Sequence, residues 1–144
     1  MKILMGIDDS KFSGAVLKAV ITQFHPEHIE VRVLHVLQPS APAPPQMASG
    51  YAPELDDLKK PARELVERIA NELRSAGFKV DTAVEVGDIR ETIIDFAAEW
   101  SADLIVVGSH GRSGIERFLL GSVAEFVARH ATCSVEIVRT PVRD

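Results

Sequence analysis

Residues 104–123 read LIVVGSHGRSGIERFLLGSV. Leu104 to Val107 is an unbroken apolar run of strand length, the pattern of a strand buried on both faces of a parallel sheet. It leads directly into Gly108-Ser109-His110-Gly111. Gly121-Ser122 then heads a segment in which Val123, Phe126, Val127 and His130 recur at helical spacing. Glycines let a backbone approach an anion without a Cβ, and the free N–H groups and dipole at a helix N-terminus favour negative charge. Gly108 and Gly111, with Ser109 between them, and Gly121 and Ser122 are therefore a candidate phosphate cradle. The same residues also have a purely local use: Gly108 and Gly111 make a turn, and Ser122 with Glu125 has capping-box spacing.

Upstream, the same grammar repeats. Ile3 to Ile7 is a second buried run, ended by Asp8, Asp9 and Ser10. Ala15, Val16, Ala19 and Val20 follow at helical spacing, with Ser10 or Asp9 available as N-cap and Pro26 closing the segment. Ile29 to Leu37 reads as a strand. Pro39, Pro42, Pro44 and Pro45 then forbid a regular ladder or helix, so a mobile loop is expected over 38–53, either a surface insertion or a lid or partner-binding segment. Leu55, Leu58, Ala62, Leu65, Ile69 and Leu73 predict a long amphipathic helix ended by Gly77, within which Pro61 falls early enough to mark the first turn. Val80, Thr82, Val84 and Val86 alternate with more polar residues, as on an edge strand. Asp88 and Glu91 resemble a capping box opening a helix through Trp100. Val135, Ile137 and Val138 close the chain with a last strand. This β-α-β-α-β-α-β-α-β order predicts an α/β fold: one open parallel sheet with helices on both faces, joined by right-handed crossovers.

The chain has 144 residues, enough for one domain over 1–144, with 46% apolar and 26% charged residues and a net charge of -5. That balance argues against a nucleic-acid partner, which needs clustered Lys and Arg. The single Cys133 cannot form an internal disulfide, and its apolar neighbours suit a small buried thiol. No apolar run approaches membrane-spanning length and MKILMGIDDS is too short an apolar leader for export, so a cytoplasmic location without membrane association is expected.

In open α/β sheets ligands bind beyond the carboxyl ends of the strands, where the strand order reverses. There the spacing Gly108-x-x-Gly111, nine residues, then Gly121-Ser122 matches the nucleotide-binding motif of the ATP-binding branch of the universal stress proteins. The whole run GSHGRSGIERFLLGSVAEFVARHATCSVEIVR resembles that family's C-terminal block, and the resemblance extends over the chain. It implies a five-stranded Rossmann-like sheet of order 3-2-1-4-5, with ATP at its carboxyl edge and the phosphates near Gly111, Gly121, Ser122 and Val123. It further implies Asp8 near ribose or a bound metal, a divalent cation (Mg or Mn) accompanying the phosphates, and the backbone of Val36 against adenine. A homodimer through the last strand, at Val135 and Ile137, is also implied. The function so implied is a nucleotide-dependent stress-response switch with little or no hydrolysis. The alternatives are a nucleotide-free interaction protein of the same fold and a slow ATPase.

Two residues depart from the family pattern. Asp9 stands where a small residue, commonly glycine, is usual, and a second carboxylate there repels phosphates unless a cation intervenes or the side chain turns away. Ser134 replaces a common proline before the last strand. Among the cations around the turn, Arg112 is the candidate to meet phosphate oxygens, while His110 is read as a turn residue. Other nucleotide folds fit less well. A phosphoacceptor receiver would need a third Asp and a Lys after the last strand, yet no Lys occurs beyond Lys79. A P-loop would need Gly-Lys-Ser/Thr, which is absent. Flavodoxin-like binding would want a hydroxyl- and glycine-rich loop where this chain has IDDSKFSG.

Overall fold

The computed structural model describes residues 1–39, 52–110 and 120–139, with side chains in the second stretch from Asp57 onward. The elements are β1 (Lys2–Ile7), α1 (Ser13–Gln23), β2 (Glu30–Leu37), α2 (Ala52–Ser75), β3 (Lys79–Val86), α3 (Ile89–Trp100), β4 (Leu104–Gly108), α4 (Ser122–His130) and β5 (Ser134–Val138). The strands form one parallel sheet of order β3-β2-β1-β4-β5, the order expected from the sequence.

The central strands are the apolar runs. Ile3, Leu4 and Met5 of β1 and Ile105 and Val106 of β4 are fully enclosed, because helices cover both faces. Alternation divides them between two cores. Ile3, Met5, Val31, Val33 and Val106 pack with Val16, Val20, Val66 and Leu73 of α1 and α2. Leu4, Leu34, Ile105 and Val107 pack with Ile93, Ala97, Ala124 and Val127 of α3 and α4. β3 lies at one edge with Lys79, Asp81, Glu85 and Val86 exposed, as its period of two suggested.

Local signals held at two helix ends. Gly77 ends α2 with φ +99°, a left-handed conformation that favours glycine, and Asp88 caps α3 by accepting from the Glu91 N–H at 3.0 Å. Three others were overridden. Neither Asp9 nor Ser10 is the N-cap of α1; Phe12 holds that place with no side-chain cap, because Ser10 is used one step earlier, its Oγ accepting from the Phe12 N–H at 3.2 Å. Pro61 does not open α2 but lies inside it, and Ala52 and Pro53, expected in the loop, are already helical. Pro61 is exposed, so the carbonyl its missing N–H leaves unbonded can be served by water. Ser122 is not a cap, since Gly121 is the N-cap of α4 and Ser122 its first helical residue. Cys133 is half-buried rather than buried, lying against the α3/α4 core. Most of the proline-rich loop lies outside the described residues, among which no helix is long and apolar enough to cross a membrane.

Candidate functional site

The strand order reverses between β1 and β4, so their connections leave in opposite directions at the carboxyl edge, the place where open α/β sheets bind ligands. Met5 pairs with Val106, and continuing that register sets Ile7 opposite Gly108. Asp8 and Ser109 therefore leave the sheet side by side. On the other flank Ile7 pairs with His35, which brings Val36 beside Asp8.

Asp8 sits in a turn built by two serines. Its Oδ1 accepts from the Ser10 N–H at 2.9 Å, an Asx turn, and the Ser13 hydroxyl donates to the Asp8 carbonyl at 2.6 Å. The Ser13 Oγ also accepts from the Asp8 N–H at 3.3 Å. One carboxylate oxygen is thus pinned, and the other, Oδ2, meets no donor among the described residues. Ser13 is buried; Asp9, next to Asp8, is exposed.

At the end of β4 the main chain of Ser109 is tied in two directions. Its N–H donates to the Val138 carbonyl at 2.8 Å, and its carbonyl accepts from the Gly121 N–H at 2.7 Å. The second bond docks the N-terminus of α4 onto the carboxyl end of β4, the juxtaposition that a phosphate cradle requires. Ser122, exposed, and Val123, half-buried against the α3/α4 core, occupy the first turn of α4. Their N–H groups have no acceptor among the described residues and point along the positive end of the helix dipole. Glu125 in the same turn is engaged by Arg129 at 3.1 Å. Ser109 and His110 are both buried, with Ser109 Oγ 3.2 Å from His110 Nδ1. Gly111 and Arg112 lie outside the described residues.

Val36 is buried in the α3/α4 core, which leaves only its main chain to a ligand. Among the described residues no three His, Cys, Asp or Glu side chains gather into one cluster. Two residues at the site were not singled out from the sequence. Ser13 looks like an ordinary helix residue, and its bonds to Asp8 follow from the turn. His35 had a visible signal, a polar ring inside the apolar run Ile29 to Leu37; it is buried with Nδ1 3.0 Å from the Ile7 carbonyl.

The model of the Universal stress protein family matches residues 1–139. This chain belongs to the universal stress protein family. A universal stress protein of Methanocaldococcus jannaschii is 32% identical over 145 positions, an alignment that covers 99% of this chain and 84% of the relative. The solved structure of a second universal stress protein of that organism is 31% identical, with a TM-score of 0.83 over 97% of this chain and 96% of the other. A universal stress protein from Archaeoglobus fulgidus, solved in complex with dAMP, is 25% identical, with a TM-score of 0.68 over 96% and 97% of the two chains.

Proposed function

We propose that this chain binds ATP at the carboxyl edge between β1 and β4 and acts in the cytoplasm as a nucleotide-dependent stress-response switch with little or no hydrolysis. The observation that carries the reading is the 2.7 Å bond from the Gly121 N–H to the Ser109 carbonyl, which sets the free N–H groups of α4 against the Gly108-Ser109 turn. In this reading Gly108, Ser109, Gly111, Gly121, Ser122 and Val123 hold the phosphates, with Arg112 as a further cation. The main chain of Val36 meets adenine. The dAMP bound by the Archaeoglobus fulgidus relative supports an adenine nucleotide as ligand.

Asp8 serves the ribose or a divalent cation, Mg or Mn. A carboxylate with one oxygen pinned and the other meeting no donor among the described residues fits Mg, which keeps most of its water and takes its remaining ligands from phosphates. Such a cation would also offset the repulsion between phosphates and Asp9.

The switch reading assigns the proline-rich loop that follows β2 to nucleotide-dependent ordering, since order and disorder of a segment are a common readout of nucleotide state. We assign β5 to a homodimer: among the described residues it pairs only with β4, and Val135 and Ile137 are half-buried on that edge of the sheet.

Mass spectrometry of nucleotide released from the purified protein, with calorimetric titration of Mg-ATP, tests the reading. Gly121 has φ -64° and ψ 158°, which valine adopts readily, so Gly121→Val should keep the fold while its side chain blocks the phosphates. More than a tenfold loss of affinity is expected, roughly the size of one or two charge-assisted hydrogen bonds. Failure of the wild type to bind any adenine nucleotide would refute the reading. For the dimer, Ile137→Lys should halve the mass measured by light scattering; an unchanged dimer would place the interface elsewhere.

A further inference from the structure

Building on that nucleotide reading, we infer that His35 is a positioning residue of the site, which with Ser13 clamps the peptide joining Ile7 to Asp8. His35 is buried at 9% exposure on the face of β2 where Val31 and Val33 are fully enclosed. A buried imidazole must recover its lost hydration through hydrogen bonds. The bond it makes runs from Nδ1 to the Ile7 carbonyl at 3.0 Å. A carbonyl only accepts, so Nδ1 carries the proton, and in the neutral ring the lone pair is on Nε2.

The Ile7 carbonyl and the Asp8 N–H belong to one planar peptide unit. His35 holds its oxygen, and the Ser13 hydroxyl accepts from its N–H at 3.3 Å. Gripped at both ends, the plane cannot rotate where β1 gives way to the turn, and its orientation determines where the Asp8 side chain leaves the chain. The ring also precedes Val36 directly. One side-chain bond therefore joins the segment assigned to ribose or metal with the segment assigned to adenine, and orients the last peptide of β1 where the β1–β2 ladder ends.

The test combines two substitutions with one spectroscopic signature. His35→Leu keeps the bulk without the donor and should weaken Mg-ATP binding about tenfold in calorimetry, whereas His35→Asn, which can donate to the same carbonyl, should stay within about threefold of wild type. In the wild type, long-range proton–nitrogen spectra should show His35 protonated at Nδ1, with slow exchange of the Asp8 amide. Wild-type affinity in folded His35→Leu would overturn the inference alone, as would an Asn variant as weak as the Leu variant. So would a ring protonated only at Nε2, a result independent of any ligand and of whether the Leu variant folds. If the wild type binds no adenine nucleotide, the nucleotide reading falls and the positioning role falls with it, even with the Nδ1 proton in place.

Discussion

Removing a single buried hydroxyl, in Ser13→Ala, tests how the Asp8 turn is held. The Ser13 Oγ donates to the Asp8 carbonyl at 2.6 Å and accepts from the Asp8 N–H at 3.3 Å, and the residue is only 6% exposed. Each such bond is worth about 0.5–1.5 kcal/mol net. The short one belongs at the upper end and the long one at the lower, giving about 2 kcal/mol. For a chain of this size that is a fall in melting temperature of roughly 6 °C. Thr22→Ala is the matched control on the same helix. Its hydroxyl also reaches main-chain carbonyls, of Lys18 at 2.9 Å and Ala19 at 3.3 Å, but it is exposed and water replaces it, so its loss should stay within about 0.5 kcal/mol. Urea titration followed by circular dichroism reads both. Equal, small effects in the two variants would refute the claim that Ser13 secures the turn, because they would show that solvent satisfies the Asp8 peptide groups just as well.

Loss of the α3 cap in Asp88→Ala should cost about 1 kcal/mol in the same titration, since the carboxylate accepts from the Glu91 N–H at 3.0 Å. Its exposed pairing with Arg90 at 3.7 Å adds little, so high salt should leave that cost nearly unchanged. The Cys133 thiol is raised above its ordinary range, chiefly by burial; a hydrogen bond from its own backbone opposes the shift and the charge of Asp103 adds to it. Because the raised value means less thiolate at any given pH, alkylation by iodoacetamide near pH 8 should run slower in the folded protein than after unfolding in urea. Equal rates would show the thiol to be fully solvated.

Features carried by neighbouring residues were open to reading from the chain alone. The apolar runs Ile3 to Ile7 and Leu104 to Val107 announced strands buried on both faces. The alternating polarity from Val80 to Val86 announced an edge, and Gly77 and Asp88 announced helix ends, because each depends on period or on a bond spanning a few residues. Reading failed where two local options were close in energy. Ser122 and Ser10 both have cap chemistry, yet Gly121 is the N-cap of α4 and Ser10 serves the turn before α1. Pro61 looked like a helix start and lies inside α2, because the apolar face from Ala62 to Leu73 outweighs one missing hydrogen bond at an exposed position.

By itself the sequence determined the parallel α/β architecture and the buried strand that ends at Gly108, through periodicity. Only the tertiary structure decided what lies beside that strand end. Ser109 meets Gly121, and Ile7 meets His35 across 28 residues, because closing the sheet buries polar groups that must then find partners wherever the chain returns. Asp8 shows both sides of this. Its carboxylate after a buried strand was plain in the sequence and its bonds to Ser10 and Ser13 are local to the turn, while His35, bonded to the carbonyl just before it, is brought there by the fold.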